Sequence, residues 1–190
     1  MKNNTDSFSS EAISGLQGTC VVVGDKSISH RSLIFSSIAE GTTRISGMLK
    51  STDVQSTLNA MCALGVRISI LEDDVVEVIG VGMHGLQEPL KPLDLGNSGT
   101  GVRLLMGLVA GQNINATFTG DKSLSSRPMR RITEPLTQMG IQVSDNVNGL
   151  LPVTITGRST PLPISYKSPV ASAQIKSAIL LAGLNARGTT

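Results

Sequence analysis

A fourteen-residue pattern occurs three times in this chain, and no other feature narrows the choice of fold as far. KSISHRSLIFSSIA at Lys26–Ala39 aligns without gaps on NSGTGVRLLMGLVA at Asn97–Ala110, 71 residues on, and on AQIKSAILLAGLNA at Ala173–Ala186, 147 residues on. The first and third copies even continue alike, Glu40-Gly41-Thr42-Thr43 against Arg187-Gly188-Thr189-Thr190. Self-similarity at such a period marks one supersecondary unit used repeatedly, each copy burying a face against its neighbours.

The hydrophobic pattern fills in the unit. Around the first copy it predicts a strand at Thr19–Val23 and a helix at Ser27–Ala39, with Ile28, Leu33, Ile34 and Ile38 on one face and Gly41 as its stop. A strand at Thr43–Leu49 follows, then a helix at Asp53–Leu64 with Val54, Leu58 and Met61 on one face and Gly65 as its end. Val66–Leu71 and Val75–Val81 read as strands joined by the Glu72-Asp73-Asp74 turn. Around the second copy the same order returns: a helix at Ser98–Ala110, a strand at Ala116–Gly120, a helix at Pro128–Met139 ending at Gly140, and strands at Ile141–Ser144 and Pro152–Thr156. The expected fold is therefore α/β (α+β), built of repeated β-α-β-α-β-β units with helices packed on sheets. The third unit has its first helix and little more, and on this period it extends to about residue 245. The chain reads as a piece of a longer enzyme, with residues 1–18 as a lead-in segment and 19–190 as one domain whose third repeat is cut short.

Composition removes several functions. Sixteen Lys and Arg against 14 Asp and Glu leave a net charge of +2, too mild for a nucleic-acid coat, and four aromatics supply no base-stacking platform. Apolar runs such as Leu104–Gly111 and Ala178–Leu184 fall far short of a bilayer span, and the polar start MKNNTDSFSS holds no secretory core. A cytoplasmic location is expected, with neither membrane nor nucleic acid as partner. Cys20 and Cys62 lack metal-ligand spacing and read as buried free thiols. No HExxH, CxxC, nucleophile elbow or GxxxxGK[ST] loop occurs, so no metal or nucleotide chemistry is expected.

The chemistry-bearing residues gather at the helix starts. Lys26-Ser27 with Arg31, Asn97-Ser98-Gly99-Thr100 with Arg103, and Ser172-Ala173-Gln174 with Lys176 open the three repeated helices. Such ends offer free N–H groups and a positive dipole pole, which suit phosphate or carboxylate. Each start alone is explained by helix capping; three in register, each with a cation, point to one polyanion site. Lys122 and Arg127 lie in the loop Gly120–Pro128, and Arg127, at its junction with the next helix, is the better ligand, since a guanidinium matches anions in two prongs. Arg130 reads as part of a solvated face, His30 as a structural or supporting residue, and Asp53 as a helix cap.

Four motifs, in order, carry a resemblance: Gly24-Asp25-Lys26-Ser27-Ile28-Ser29-His30-Arg31, Leu95-Gly96-Asn97-Ser98-Gly99-Thr100-Gly101-Val102-Arg103, Gly120–Met129 and Ser172-Ala173-Gln174-Ile175-Lys176-Ser177-Ala178. Over residues 18–190 the chain resembles the 5-enolpyruvylshikimate-3-phosphate synthase family, its class II branch in particular. The resemblance implies an enolpyruvate transferase-like, inside-out α/β barrel domain with a pseudo-threefold, and a second domain that is missing here. It implies enolpyruvyl transfer from phosphoenolpyruvate to the 5-hydroxyl of shikimate-3-phosphate, without metal or cofactor, in aromatic amino-acid synthesis. Lys26 would be catalytic and touch both substrates; Ser27 and Arg31 would hold the shikimate ring and carboxylate; Ser172 and Ala173 the 3-phosphate. Gln174 would touch both substrates, Arg127 would clamp phosphoenolpyruvate, and Asn97–Gly99 would line its pocket. Gly99 stands where the family's response to glyphosate, a possible inhibitor, is set. Val23 departs from a proline that many members carry. Two alternatives stand beside this reading: a non-catalytic half-domain that only binds shikimate-3-phosphate, and a UDP-N-acetylglucosamine enolpyruvyl transferase, which the Lys26-Ser27 and Leu124-Ser125 wording disfavours.

Overall fold

The structure, a computed structural model, describes residues 8–145 and 148–190. The first seven residues of the lead-in segment lie outside that range. The repeat reappears as topology. The first unit contains α1 (Lys26–Ile38), β1 (Glu40–Ile45), α2 (Thr52–Ala63), β2 (Arg67–Ile70) and β3 (Val76–Val81). The second contains β4 (Leu93–Asp94), α3 (Gly99–Ala110), β5 (Asn115–Thr119), the short α4 (Lys122–Ser125), α5 (Arg130–Gln138), β6 (Gln142–Ser144) and β7 (Val153–Thr156). Of the third, α6 (Ala173–Gly183) is formed. The sheets run β1-β3-β2 and β4-β5-β7-β6, so β1, β3 and β2 match β5, β7 and β6 in order and sense. All those pairings are antiparallel, with Thr43 opposite Val78 and Ala116 opposite Ile155.

Helices lie inside and sheets outside. The α3 helix is buried on nearly every side, Leu104 to Ala110 without a break, which explains its unpatterned apolar sequence. It packs most extensively on α6 and also touches α1, α2 and α5. Gly107 makes the α3–α6 approach possible: a Cβ there would stand 2.3 Å from the Ala178 carbonyl oxygen. Phe118, Leu33, Ile34, Met61, Leu105 and Leu124 are among the fully buried side chains of a core continuous across both units. Burying a side chain of that size contributes about 1.5–3 kcal/mol.

The glycine stops behave as the sequence predicts. Gly65 (φ 91°) and Gly140 (φ 79°) end α2 and α5 in the left-handed region. Around Gly65 the bonds are Gly65 N–H to Cys62 O and Val66 N–H to Met61 O; around Gly140 they are Gly140 N–H to Thr137 O and Ile141 N–H to Leu136 O. Each pair closes the last turn and satisfies carbonyls that a helix end leaves open.

Five expectations are corrected. Thr19–Val23 forms no strand: Val21, Val22 and Val23 stand 80–92% exposed, and no backbone ladder reaches them. β-branched residues favour a pleated chain only when a neighbouring strand supplies hydrogen bonds and cover. Conversely Leu93–Asp94, two residues too short for periodicity, becomes a strand because it pairs parallel to β5. The strand expected at Thr43–Leu49 begins at Glu40 instead, because β1 pairs from Glu40 opposite Val81; Gly41 lies within it rather than stopping the helix. Part of the Gly120–Pro128 loop is α4, capped by Asp121. Both cysteines are exposed, Cys62 on the outer face of α2 away from Val54, Leu58 and Met61, and Cys20 in the irregular segment before α1. Among the described residues no helix is long and apolar enough to cross a membrane, and no cluster of His, Cys, Asp and Glu could hold a metal.

Candidate active site

The N-terminal turns of α1, α2, α3 and α6 surround one cavity of about 620 Å³. Each turn is fixed by a side-chain cap: Asp25 Oδ1 accepts from Ile28 N–H at 2.7 Å, Ser51 Oγ from Val54 N–H, Ser98 Oγ from Gly101 N–H at 3.1 Å, and Ser172 Oγ from Ile175 N–H at 3.4 Å. Capping thus leaves other N–H groups at each end available to a ligand, since a cap satisfies one of several free N–H groups.

Lys26, Asn97, Gly99, Arg127, Ser172 and Gln174 line this cavity together, so six of the nine sequence-predicted site residues converge. Ser27 and Ala173 are exposed next to lining residues but are not among them. Arg31 is exposed and borders a neighbouring apolar cleft between α1, α3 and α6, beside Phe35 and Leu180. Arg130 and the exposed His84 lie outside the cavity; the Arg130 stem packs against Gly149.

Asp53 is not the cap of α2, a role Ser51 takes; it pairs instead with the Lys26 ammonium across the cavity mouth. Thr100, Arg103 and Arg131 complete the polar lining. Thr100 accepts from Gln174 Nε2 at 3.1 Å and so ties the α3 tip to the α6 tip. Arg131 stands in the first turn of α5 and Arg127 in the turn just before that helix, so the two guanidiniums reach the cavity from one chain segment. Asp53 carried no signal in the sequence, because its partner lies 27 residues away on another helix.

The electrostatics favour an anion. Four cations, Lys26, Arg103, Arg127 and Arg131, face the cavity against a single carboxylate, Asp53. Arg103 donates Nη1 to Gly99 O at 2.9 Å. Burial, then the neighbouring Arg127 and Arg131 guanidiniums, pull its pKa down, so an incoming anion relieves a repulsion already present. Arg127 Nη2 donates to Asn97 Oδ1 at 2.7 Å and to Ser123 Oγ at 3.2 Å, while Asn97 Nδ2 donates to Asp121 Oδ2 at 2.9 Å. The Leu124 N–H above all, helped by Asn97, holds the Asp121 carboxyl below its usual range, so it stays an acceptor and fixes which way the Asn97 amide points. Arg127 is therefore aimed before any ligand arrives. Gly99 leaves the room: a Cβ there would stand 2.9 Å from Arg103 Nη1 and 3.1 Å from Arg127 Nη1.

Comparison with known proteins agrees. The family model described as EPSP synthase (3-phosphoshikimate 1-carboxyvinyltransferase) matches residues 10–190. Relatives of that name include one from Parvibaculum lavamentivorans, 53% identical over 99% of this chain and 42% of its own length. Another, from Rhodopseudomonas palustris, is 57% identical over 92% of this chain and 40% of its own length. The crystal structure of EPSP synthase from Acinetobacter baumannii is 49% identical and superimposes with a TM-score of 0.86 over 90% of this chain and 39% of that one. The chain thus spans about two fifths of the length of the relatives it matches. A match that runs through every helix tip of the cavity leaves one assignment: the chain belongs to the EPSP synthase (3-phosphoshikimate 1-carboxyvinyltransferase) family.

Proposed function

We propose that this chain supplies the first-domain half of a site that transfers the enolpyruvyl group from phosphoenolpyruvate to the 5-hydroxyl of shikimate-3-phosphate. The hydroxyl oxygen, losing its proton, adds to the enolpyruvyl carbon as the methylene carbon takes up a proton; the C–O bond to phosphate then breaks as that carbon gives a proton back, restoring the C=C and releasing inorganic phosphate. The observation that carries this reading is the convergence of capped helix tips and four cations on one cavity. Both substrates are multiply anionic, so most of the benefit comes from positioning and preorganised charge rather than from a covalent step by the protein.

Lys26 neutralises charge shared by both substrates at the mouth, with Asp53 holding its ammonium in place. Arg127, aimed by Asn97, takes the phosphoenolpyruvate end, and the Asn97–Gly99 turn shapes its pocket. Ser172 and Ala173 receive the 3-phosphate at the α6 tip, and Gln174, tied to Thr100, bridges the two substrates. Ser27 and Arg31 meet the shikimate ring and carboxylate from the exposed side, a role resting on the resemblance alone. Glyphosate, with a carboxylate and a phosphonate, fits the same cations. The proton transfers fall to a second domain, with which residues 1–18 pair, residues 19–190 forming the first domain. The setting is the cytoplasmic synthesis of aromatic amino acids.

Calorimetric titration of this chain with shikimate-3-phosphate tests the site: a saturable heat is expected, and a flat trace at millimolar ligand refutes it. With both substrates present this chain alone releases no phosphate; turnover would refute its role as one half of a site.

A further inference from the structure

Beneath the Lys26–Asp53 pair lies a second, buried contact between the same two helices. His30 follows Lys26 by one turn in α1, and Thr57 follows Asp53 by one turn in α2. His30 and Thr57 are both fully buried, and His30 Nδ1 lies 2.8 Å from Thr57 Oγ1. The two contacts share one sequence offset, 27 residues, so α1 and α2 run parallel here with their first turns level. A third helix, α3, also reaches this point: a Cβ on Gly101 would fall 2.5 Å from Thr57 Oγ1 and 2.7 Å from Ser98 Oγ, the α3 cap. One imidazole–hydroxyl contact therefore sits where three cavity-bearing helix tips meet.

Among the described residues the ring has a single hydrogen-bond partner. Its Nε2 is buried and makes no hydrogen bond, and such a group is costly unless it serves a constraint. The Asp53 carbonyl oxygen, 3.4 Å from Thr57 Oγ1, offers the hydroxyl proton an acceptor, an arrangement in which the Thr57 oxygen accepts from His30 Nδ1–H. Burial keeps the ring neutral, with Asp53 favouring the charged form and Lys26 opposing it.

We propose that His30 is a positioning residue for the cavity: as a neutral Nδ1–H imidazole bonded to Thr57, it sets the register of α1 on α2 and α3, and through it the placement of Lys26 and Asp53. The ligand-binding part of this inference rests on the function proposed above.

Two measurements on this chain test it. The first needs no ligand: ring nitrogen NMR shifts at neutral pH give the Nδ1–H tautomer, and Thr57→Val abolishes that signature. A wild-type ring in the Nε2–H form overturns the proposal. The second is shikimate-3-phosphate affinity. His30→Leu and Thr57→Val each weaken it roughly tenfold or more, as displaced binding groups do. The double variant is no worse than either single, because one contact is lost once. His30→Asn, which keeps a donor in reach of Thr57, restores most of the affinity. Unchanged affinity in Thr57→Val, additive losses, or His30→Asn as damaging as His30→Leu each overturn it. Should His30→Leu not fold, the tautomer, Thr57→Val and His30→Asn still decide. A wild-type chain that shows the tautomer but binds no shikimate-3-phosphate overturns the functional reading and leaves the register reading standing.

Discussion

Replacing Gly99 with alanine separates site geometry from fold stability. The new methyl would lie 2.9 Å from Arg103 Nη1 and 3.1 Å from Arg127 Nη1, closer than carbon and nitrogen pack, so at least one guanidinium moves. Both are the far ends of long side chains, so the backbone need not shift. Gly99 opens α3, where alanine is the better helix former by up to about 1 kcal/mol. Stability should hold or rise, with Tm changing upward by roughly 2–4 °C at most for a chain of this size. The Arg127 fork does not escape so lightly. Its bonds to Asn97 and Ser123 aim it, and a shift of a few tenths of an ångström spoils a charge-assisted, two-pronged contact with an anion. Losing one such bond costs about 1.5–3 kcal/mol, or roughly ten- to a hundredfold in affinity. Calorimetry of wild type and Gly99→Ala with phosphoenolpyruvate and with glyphosate, beside thermal melts, reads both sides. The longer glyphosate should lose more than phosphoenolpyruvate, while shikimate-3-phosphate, whose phosphate the proposed function places at the α6 tip, should change little. Full affinity for both smaller anions, or a marked fall in Tm, would refute the reasoning.

Gly107→Ala should do the reverse: its methyl meets the backbone of Ala178 at 2.3–2.7 Å, which cannot swing aside, so α3 and α6 must part. The expected loss is about 2 kcal/mol of stability, read by urea unfolding. Lys26→Ala should weaken both substrates about tenfold or more, because it removes a cation and leaves the Asp53 carboxylate facing them, whereas Arg130→Ala, outside the cavity, should stay within about twofold; equal effects in parallel titrations would undo the assignment. His30, with its pKa lowered from the ordinary 6.5 by burial, binds its proton less readily folded than unfolded, so its contribution is complete above pH 6.5 and is lost as pH falls below it. Unfolding curves at pH 7 and 5 should therefore show an acid loss of up to about 1.4 kcal/mol per pH unit below 6.5, which His30→Asn lacks.

Much of this was legible in the residues because repetition is a one-dimensional signal. The three-copy pattern gave the units, the glycines after α2 and α5 gave their stops, and the polar helix starts gave seven of the residues that line the cavity, with Arg127 from the Gly120–Pro128 loop as an eighth. What stayed hidden depends on pairing across the chain. Thr19–Val23 has strand-forming residues but no ladder, and Leu93–Asp94 has a ladder but too few residues to show a period. Asp53 reads as a cap until α2 is laid beside α1 and its carboxylate meets Lys26. Cys62 reads as buried until the helix face it occupies is known. In each case the presence or absence of a tertiary partner, not local propensity, decided the outcome.

The same comparison explains how one repeated unit yields a cavity with unlike sides, as the proposed binding of two different anions requires. Repetition supplies the frame: helices in equivalent settings carry equivalent tips, so three positive dipole ends arrive at one cavity with no further instruction. Identical tips, however, would make a symmetric hole that could not order two substrates. The copies differ where they face the cavity. The first contributes a mobile ammonium steadied by Asp53, and the second a glycine turn, with Arg103 beside it and Asn97 aiming Arg127. The third contributes a serine cap and Gln174, with no cation at the lining. Charge is thus concentrated on the side of α3 and α5, and neutral donors on the side of α6, which gives the cavity a direction. Equalising the tips, by placing a cation at Gln174 or removing one at Arg103, would keep the pull on anions while erasing that direction, and on the proposed function would trade ordered binding of two substrates for indiscriminate binding of either.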